Sequence, residues 1–263
     1  MKGIATIIKK SYLAIALSCI TLACVAISAE VFKSEKGEAR LPKKAGRSLK
    51  SETDEQLLSK MERVCSMLDI NRPECFVEGS VSSYTQGNTL DVEGTLPYIY
   101  SKRGNDFYYK LGQTETINAK GLYIYIDPDA KKVLLSDQKV LTDSSPNAIH
   151  ELFKQILEDR FAVRTKFEGD NQVITLLNEM HLSCKEYSVS FDTLSLKPNR
   201  VFCRMPNSNA AGSTGGDLVL DMRLQTVSSI SQIEKFVSKP VIIRDDNKWT
   251  LSKEFQGYEL VIM

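Results

Sequence analysis

Apolar positions along this chain follow two periods, and the two sort its elements. The period of two dominates. Leu218, Leu220, Met222 and Leu224 alternate with Val219, Asp221 and Arg223, and Tyr187, Val189 and Phe191 alternate likewise, while the stretch from Gly121 to Lys139, GLYIYIDPDAKKVLLSDQK, is strand-like but nearly continuously apolar. Leu122, Tyr123, Ile124, Tyr125 and Ile126 suit a pleated surface. Asp127-Pro128-Asp129 joins a fixed φ to two side chains able to bond the local backbone, which makes a turn. Lys131 to Ser136 returns as the second arm of a β-hairpin. Few residues in either arm are polar. Both faces of the hairpin are therefore expected to be covered, or one of them to line an apolar cavity.

The helical period occurs twice. Leu57, Leu58, Met61, Val64, Cys65 and Leu68 form one stripe. Thr53 is placed as its N-cap, with Gln56 completing a capping box, and Asn71-Arg72-Pro73 ends it. Ile149, Leu152, Phe153, Ile156 and Leu157 form the second stripe, opened by Ser145 as N-cap and Pro146 as first helical residue.

Strands fill the remainder. Phe76 to Tyr84, Leu90 to Arg103 (with breaks suggested at Gly94 and Pro97), Phe107 to Leu111 and a short piece at Thr114 to Ile117 precede the hairpin. A meander follows: Gln172 to Met180, Lys185 to Asp192, Arg200 to Met205, Leu218 to Leu224 and Ile230 to Val237, the last also compatible with a short helix. Val241 to Arg244 and Tyr258 to Met263 are expected to close the sheet. Short connections imply antiparallel neighbours, since parallel pairing needs long crossovers. The class is α+β, mainly antiparallel β. Asn207 to Gly216 is glycine-rich, but no Lys-Ser/Thr follows as a phosphate loop requires, so it reads as a turn.

The first residues are patterned for export, not for folding. Lys2, Lys9 and Lys10 precede an apolar run from Tyr12 to Ala29, and Ile27-Ser28-Ala29 ahead of Glu30 suits a signal peptidase. At ~18 residues the run is also long enough to remain as a membrane anchor. Thr21-Leu22-Ala23-Cys24 offers a third outcome, acylation of Cys24 as in bacterial lipoproteins, although Thr21 stands where leucine is usual. The expected organisation is a signal or anchor at 1–29, a basic flexible linker at 30–50 and a single β domain at 51–263. The location is the periplasm or cell envelope. An anchored N-terminus would set the linker's lysines beside lipid headgroups.

A net charge of +1 over 263 residues gives no field for nucleic acid. A monomer is expected. Cys65, Cys75, Cys184 and Cys203 lie beyond the signal. In an exported chain they are disulfide candidates with three connectivities, of which Cys65–Cys75 with Cys184–Cys203 is the local choice. Cys65 also fits a small buried hydrophobe on its helix.

Reaction chemistry is hard to find. The chain has no G-x-S-x-G, H-E-x-x-H, Walker or dinucleotide motif. Its two histidines, His150 and His181, lie far apart, and a turn position explains His181 and Cys184 without catalysis. Asp127 and Asp129 lack the rest of a calcium loop. No enzyme, cofactor or metal is expected.

The positive signal is aromatic. Tyr98, Tyr100, Phe107, Tyr108, Tyr109, Tyr123 and Tyr125 fall close together. A sheet curled around its helices would put such residues around a cavity, whereas a packed core would use them as rims. The order of an early amphipathic helix, FYYKLG, LYIYID-x-x-AKKVLLS, a helix and a meander resembles the lipoprotein carrier and insertion proteins of the LolA/LolB type, and most of all their divergent exported relatives. The likeness is carried by Phe107 to Lys110, Leu122 to Asp127 and Lys131 to Ser136, with support from Tyr187 to Asp192. It implies an open, unclosed β-barrel with helices packed in or over its concave face. It also implies non-covalent binding of a lipid or an acylated protein. Tyr98, Tyr100, Tyr109, Tyr123 and Tyr125 are then the cavity candidates, and Leu57, Met61, Ile149 and Phe153 the lid. The alternative is an exported structural or protein-interaction module with a packed core and no ligand.

Overall fold

The computed structural model describes residues 52–87, 93–141, 159–207, 216–238, 240–246 and 248–263. The expected signal, the whole of the expected basic linker, the expected helix at Pro146–Leu157 and most of the glycine-rich loop lie outside them. So do His150, Ile149 and Phe153.

Helix α1 spans Asp54–Cys65. It opens as the spacing predicts: the Gln56 amide donates to Thr53 Oγ1 at 3.3 Å and the Thr53 amide to Gln56 Oε1 at 2.9 Å. It stops earlier than Asn71-Arg72-Pro73, passing at Ser66–Leu68 into a 3-10 turn.

Among the described residues fourteen strands follow: β1 (Glu74–Thr85), β2 (Glu93–Arg103), β3 (Asp106–Leu111), β4 (Thr114–Ala119), β5 (Leu122–Asp127), β6 (Lys132–Asp137), β7 (Ala162–Glu168), β8 (Asn171–Leu177), β9 (Glu186–Asp192), β10 (Pro198–Met205), β11 (Leu218–Ser228), β12 (Ile242–Asp245), β13 (Lys248–Leu251) and β14 (Glu259–Ile262). Helix α2 is one short piece, Ile233–Val237. Twelve strands make a single open sheet in the order β14-β6-β5-β4-β3-β2-β1-β11-β10-β9-β8-β7. Two antiparallel meanders, β1–β6 and β7–β11, are joined where the long strands β1 and β11 pair.

Several expectations are corrected. Pro97 does not break β2. Its carbonyl accepts from Gly112 at 2.8 Å, just past the last residue of β3, so its missing N–H falls where the partner strand has ended. β7 is an unanticipated strand: Val163 and Phe167 alternate with its charged residues, but it is an edge strand, exposed along most of its length, and Arg164, Lys166 and Glu168 discourage further pairing. Ile230–Val237 is helical at its end and not a strand. β12 does not join the main sheet but pairs with β13 as a separate ribbon. β14 does extend the sheet, yet parallel to β6. The long crossover that parallel pairing needs is the whole chain between them.

Residues paired across strands share a face, so the register sorts the side chains. One face carries the row Ile174, Val189, Val201, Met222, Val81 and Leu96 from β8 to β2. On it α1 buries Leu57, Leu58, Met61, Val64 and Cys65 against Ile174, Leu176, Val189 and Phe191. The opposite face of β3–β6 carries Tyr108, Ile117, Ile124, Ile126, Val133 and Leu135. The C-terminal segment covers this side with Ile233, Phe236, Val241, Trp249, Phe255 and Leu260. Phe236 stacks on Tyr108, with ring centroids 4.2 Å apart and planes 3° from parallel.

Candidate functional site

The hairpin β5–β6 turns where the sequence places it. Asp127 Oδ1 accepts from the amides of Asp129 and Ala130, each at 3.0 Å. That turn fixes the parity of the arms. Ile124 and Ile126 go under the C-terminal segment, and Tyr123 and Tyr125 go to the α1 face.

The same parity runs through the neighbouring strands. Tyr125 opposes Thr116, which opposes Tyr109, which opposes Tyr100, which opposes Val77. Tyr123 lies in the row of Asn118, Phe107 and Lys102, and Tyr98 in that of Leu111. All five cavity candidates therefore lie on one face, and it is the face that holds α1. Leu57 and Met61 pack over β8 and β9, while Leu68, at the end of the 3-10 turn, reaches the cluster of Tyr98, Tyr100 and Tyr109.

The five rings are not equivalent. Tyr98 is 3% exposed and packs with Val77, Val81, Val201, Met222 and Leu224. It meets Tyr109 edge to face at 5.9 Å. Tyr100, Tyr109, Tyr123 and Tyr125 are half-buried. Burial pushes the phenol of Tyr109 up to about 12 and those of Tyr98 and Tyr100 higher. Burial also raises Tyr123 and Tyr125, whose hydroxyls are hydrogen-bonded to Thr116 and Thr114. The five phenols are thus neutral at neutral pH, and the face is apolar in its ring bodies and polar at its hydroxyl tips, while Lys102, in the row of Tyr123, donates to the Ile70 carbonyl at 3.0 Å.

A shallow cleft of about 250 Å³ opens beside this face. Its walls include Asp192, Lys197 and Pro198 from the β9–β10 hairpin and Leu224 and Val227 from β11. Leu224 and Val227 also belong to the cluster around Tyr98.

The residues weighed for other chemistry have local tasks. His181 Nδ1 accepts from the Cys184 amide at 3.0 Å, and its ring lies 5.1 Å from that of Phe161. Asp127 is occupied by its turn. Among the described residues no group of three or more metal-ligating side chains gathers, and no helix is long and apolar enough to cross a membrane. Cys65 is buried on α1, its sulfur 3.8 Å from the Tyr187 hydroxyl. Cys75 is buried on β1, where desolvation lifts its thiol to about 11. Cys184 and Cys203 come within 3.6 Å of each other.

One cluster was not visible in the pattern. Arg204 on β10, with its side chain 10% exposed, donates to Glu179, Glu186 and Asp217. Lys185 also donates to Asp217, at 2.7 Å. Four separate segments contribute, so no sequence spacing announces it. Every charge in it has an opposite partner, which marks it as a clamp on the ends of β9 and β10.

No family model matches the chain, and no curated protein is similar to it in sequence. Among solved structures it is similar to an uncharacterised conserved protein from Thermus thermophilus, with 6% identity over 77% of this chain and 99% of that one and a TM-score of 0.38. It is similar to the Pseudomonas aeruginosa MucA/MucB complex structure, with 11% identity over 65% of this chain and 56% of that one and a TM-score of 0.35. A DUF1329 family protein from Desulfovibrio piger gives 9% identity over 66% of this chain and 92% of that one, with a TM-score of 0.27. Likeness this remote assigns neither family nor function.

Proposed function

We propose that the protein is an exported binding module that holds a lipid or acyl chain non-covalently on its tyrosine face and carries out no reaction on it. The observation that supports this reading is the register. It gathers Tyr100, Tyr109, Tyr123 and Tyr125, all half-buried and neutral, on the face that also carries α1. Burial of an alkyl chain there would be driven at ~25 cal/mol per Å² of apolar surface. The phenol tips would suit the polar end of the ligand. The cleft is walled by Leu224 and Val227, which also pack in the cluster around Tyr98.

A second reading has its own observation. Tyr98 is packed as a core residue is, among Val81, Met222 and Leu224. A sheet filled in this way could serve as an interaction module with no small ligand. Native mass spectrometry of the full chain, exported into a bacterial periplasm and purified without detergent, separates the two. A stoichiometric lipid or acylated peptide, identified after organic extraction, supports the carrier reading. A clean apo mass overturns it in favour of the module.

A further inference from the structure

The sulfurs of Cys184 and Cys203 lie 3.6 Å apart, and the backbone holds them there. Cys203 is inside β10, 6% exposed, opposite Tyr187 on β9 and Leu220 on β11. Cys184 lies two residues before β9 and is half-buried. Its amide donates to His181 Nδ1 at 3.0 Å. The next amide, of Lys185, donates at 2.8 Å to the carbonyl of Arg204, the residue after Cys203. The Lys185 carbonyl in turn accepts from Asn178 at 2.8 Å. Each thiol is thus fixed through its own main chain, and little backbone movement separates contact from a bond.

We propose that Cys184 and Cys203 are a disulfide-forming pair, oxidised by exchange with an external disulfide, with Cys184 as the entry thiol and Cys203 as the resolving one. The assignment does not depend on lipid binding. The Cys184 thiolate attacks one sulfur of a disulfide RSSR, forming a Cys184–S–S–R mixed disulfide and releasing RS⁻, which takes up a proton. Cys203 then loses its proton, attacks the Cys184 sulfur and expels the second RS⁻. The protein loses two protons and two electrons, and RSSR becomes two RSH. Exposure sets the order, because an external disulfide can approach Cys184 but not the buried Cys203. The Cys184 thiol is held below the usual thiol range, first by its hydrogen bond with Cys203 and further by the charge of Arg204, which favours the attacking thiolate. Cys65 and Cys75 are both buried, at 3% and 2% exposure, and offer no such entry point.

The test titrates the folded, reduced full chain with oxidised glutathione. The reaction is quenched with acid, and the remaining thiols are alkylated under denaturing conditions and mapped by mass. The expected product lacks two hydrogens and contains a Cys184–Cys203 cross-linked peptide, with Cys65 and Cys75 alkylated. Cys203→Ser should accumulate a glutathione adduct at Cys184, and Cys184→Ser should leave Cys203 alkylated. A wild-type product with both Cys184 and Cys203 alkylated, or with either joined to another cysteine, overturns the pairing. A glutathione adduct on Cys203 in Cys184→Ser overturns the order of attack. The wild-type map decides the pairing even if a variant fails to fold.

Discussion

Gly79 on β1 lies so close to Arg223 on β11 that a Cβ at residue 79 would overlap the Arg223 carbonyl oxygen. The contact is with backbone, which cannot swing aside. It falls where the β1–β11 register shifts between Glu78 and Gly79, at the seam that joins the two meanders. Gly79→Ala must push the strands apart there. The expected cost is about 1–3 kcal/mol, read from chemical denaturation. A stability equal to wild type would mean that the seam is looser than its register implies.

Met61 is 0% exposed and sits between α1 and the β8–β9 face, with Ile174 and Phe191 in the same cluster. Met61→Ala should destabilise by about 2–5 kcal/mol, since it removes apolar contacts and leaves a void. Met61→Leu should cost less than about 1.5 kcal/mol. Urea melts of the two variants check the contrast.

On the ligand reading, Tyr123→Asp together with Tyr125→Asp places two carboxylates on the proposed binding face. Both rings are half-buried, so folding should survive better than with a change at Tyr98. The expected outcome is loss of co-purifying lipid with circular dichroism unchanged. Retained lipid in a folded double variant would refute these lining residues.

The buried phenols make stability fall in alkali. Tyr109 titrates at about 12 in the folded protein, above the ordinary tyrosine value near 10. Its protonated form is favoured by folding, so its contribution is complete below pH ~10 and is lost as pH rises through 12. Tyr98 and Tyr100 shift in the same direction. Ultraviolet titration should show these phenolates appearing late, together with unfolding. Their early ionisation in a protein that remains folded would contradict the packing.

In acid the sign reverses. The Arg204 guanidinium holds the Glu179 carboxyl below the usual range, while Lys185 and then Arg204 do so for Asp217. Their stabilisation is present above the unfolded carboxylate pKa and fades as pH falls through the lower folded values. Arg204→Met should therefore move the acid-unfolding midpoint to higher pH. Asp217 retains Lys185, so its share persists in part. A pH-unfolding curve superimposable on wild type would show the cluster to be idle.

Much of the fold could be read directly. The capping box at Thr53 and Gln56, the Asp127 turn and the apolar, aromatic run through Leu122–Ile126 act within a few residues, so local chemistry determines them. Strand pairing then showed that Tyr123 and Tyr125 share the face of Tyr98 and Tyr100. β7 carries only two large apolar residues, Val163 and Phe167, between charges, too weak a pattern to signal a strand that is exposed along most of its length. β12 was misplaced because a short strand carries no label for its partner.

Most of the elements and the parity of the strands are thus properties of the chain read locally, because both arise from φ/ψ preferences and from side chains two to four residues apart. How the parities combine is a matter of long-range pairing. Joining β1 to β11 aligns the tyrosine rows with the α1 face, and laying β14 parallel on β6 commits the other face to the C-terminal segment. The same pairing brings Cys184 to Cys203 and gathers the partners of Arg204. Such contacts depend on which strands find each other across the chain, a choice made by the total apolar area buried, which no local stretch encodes.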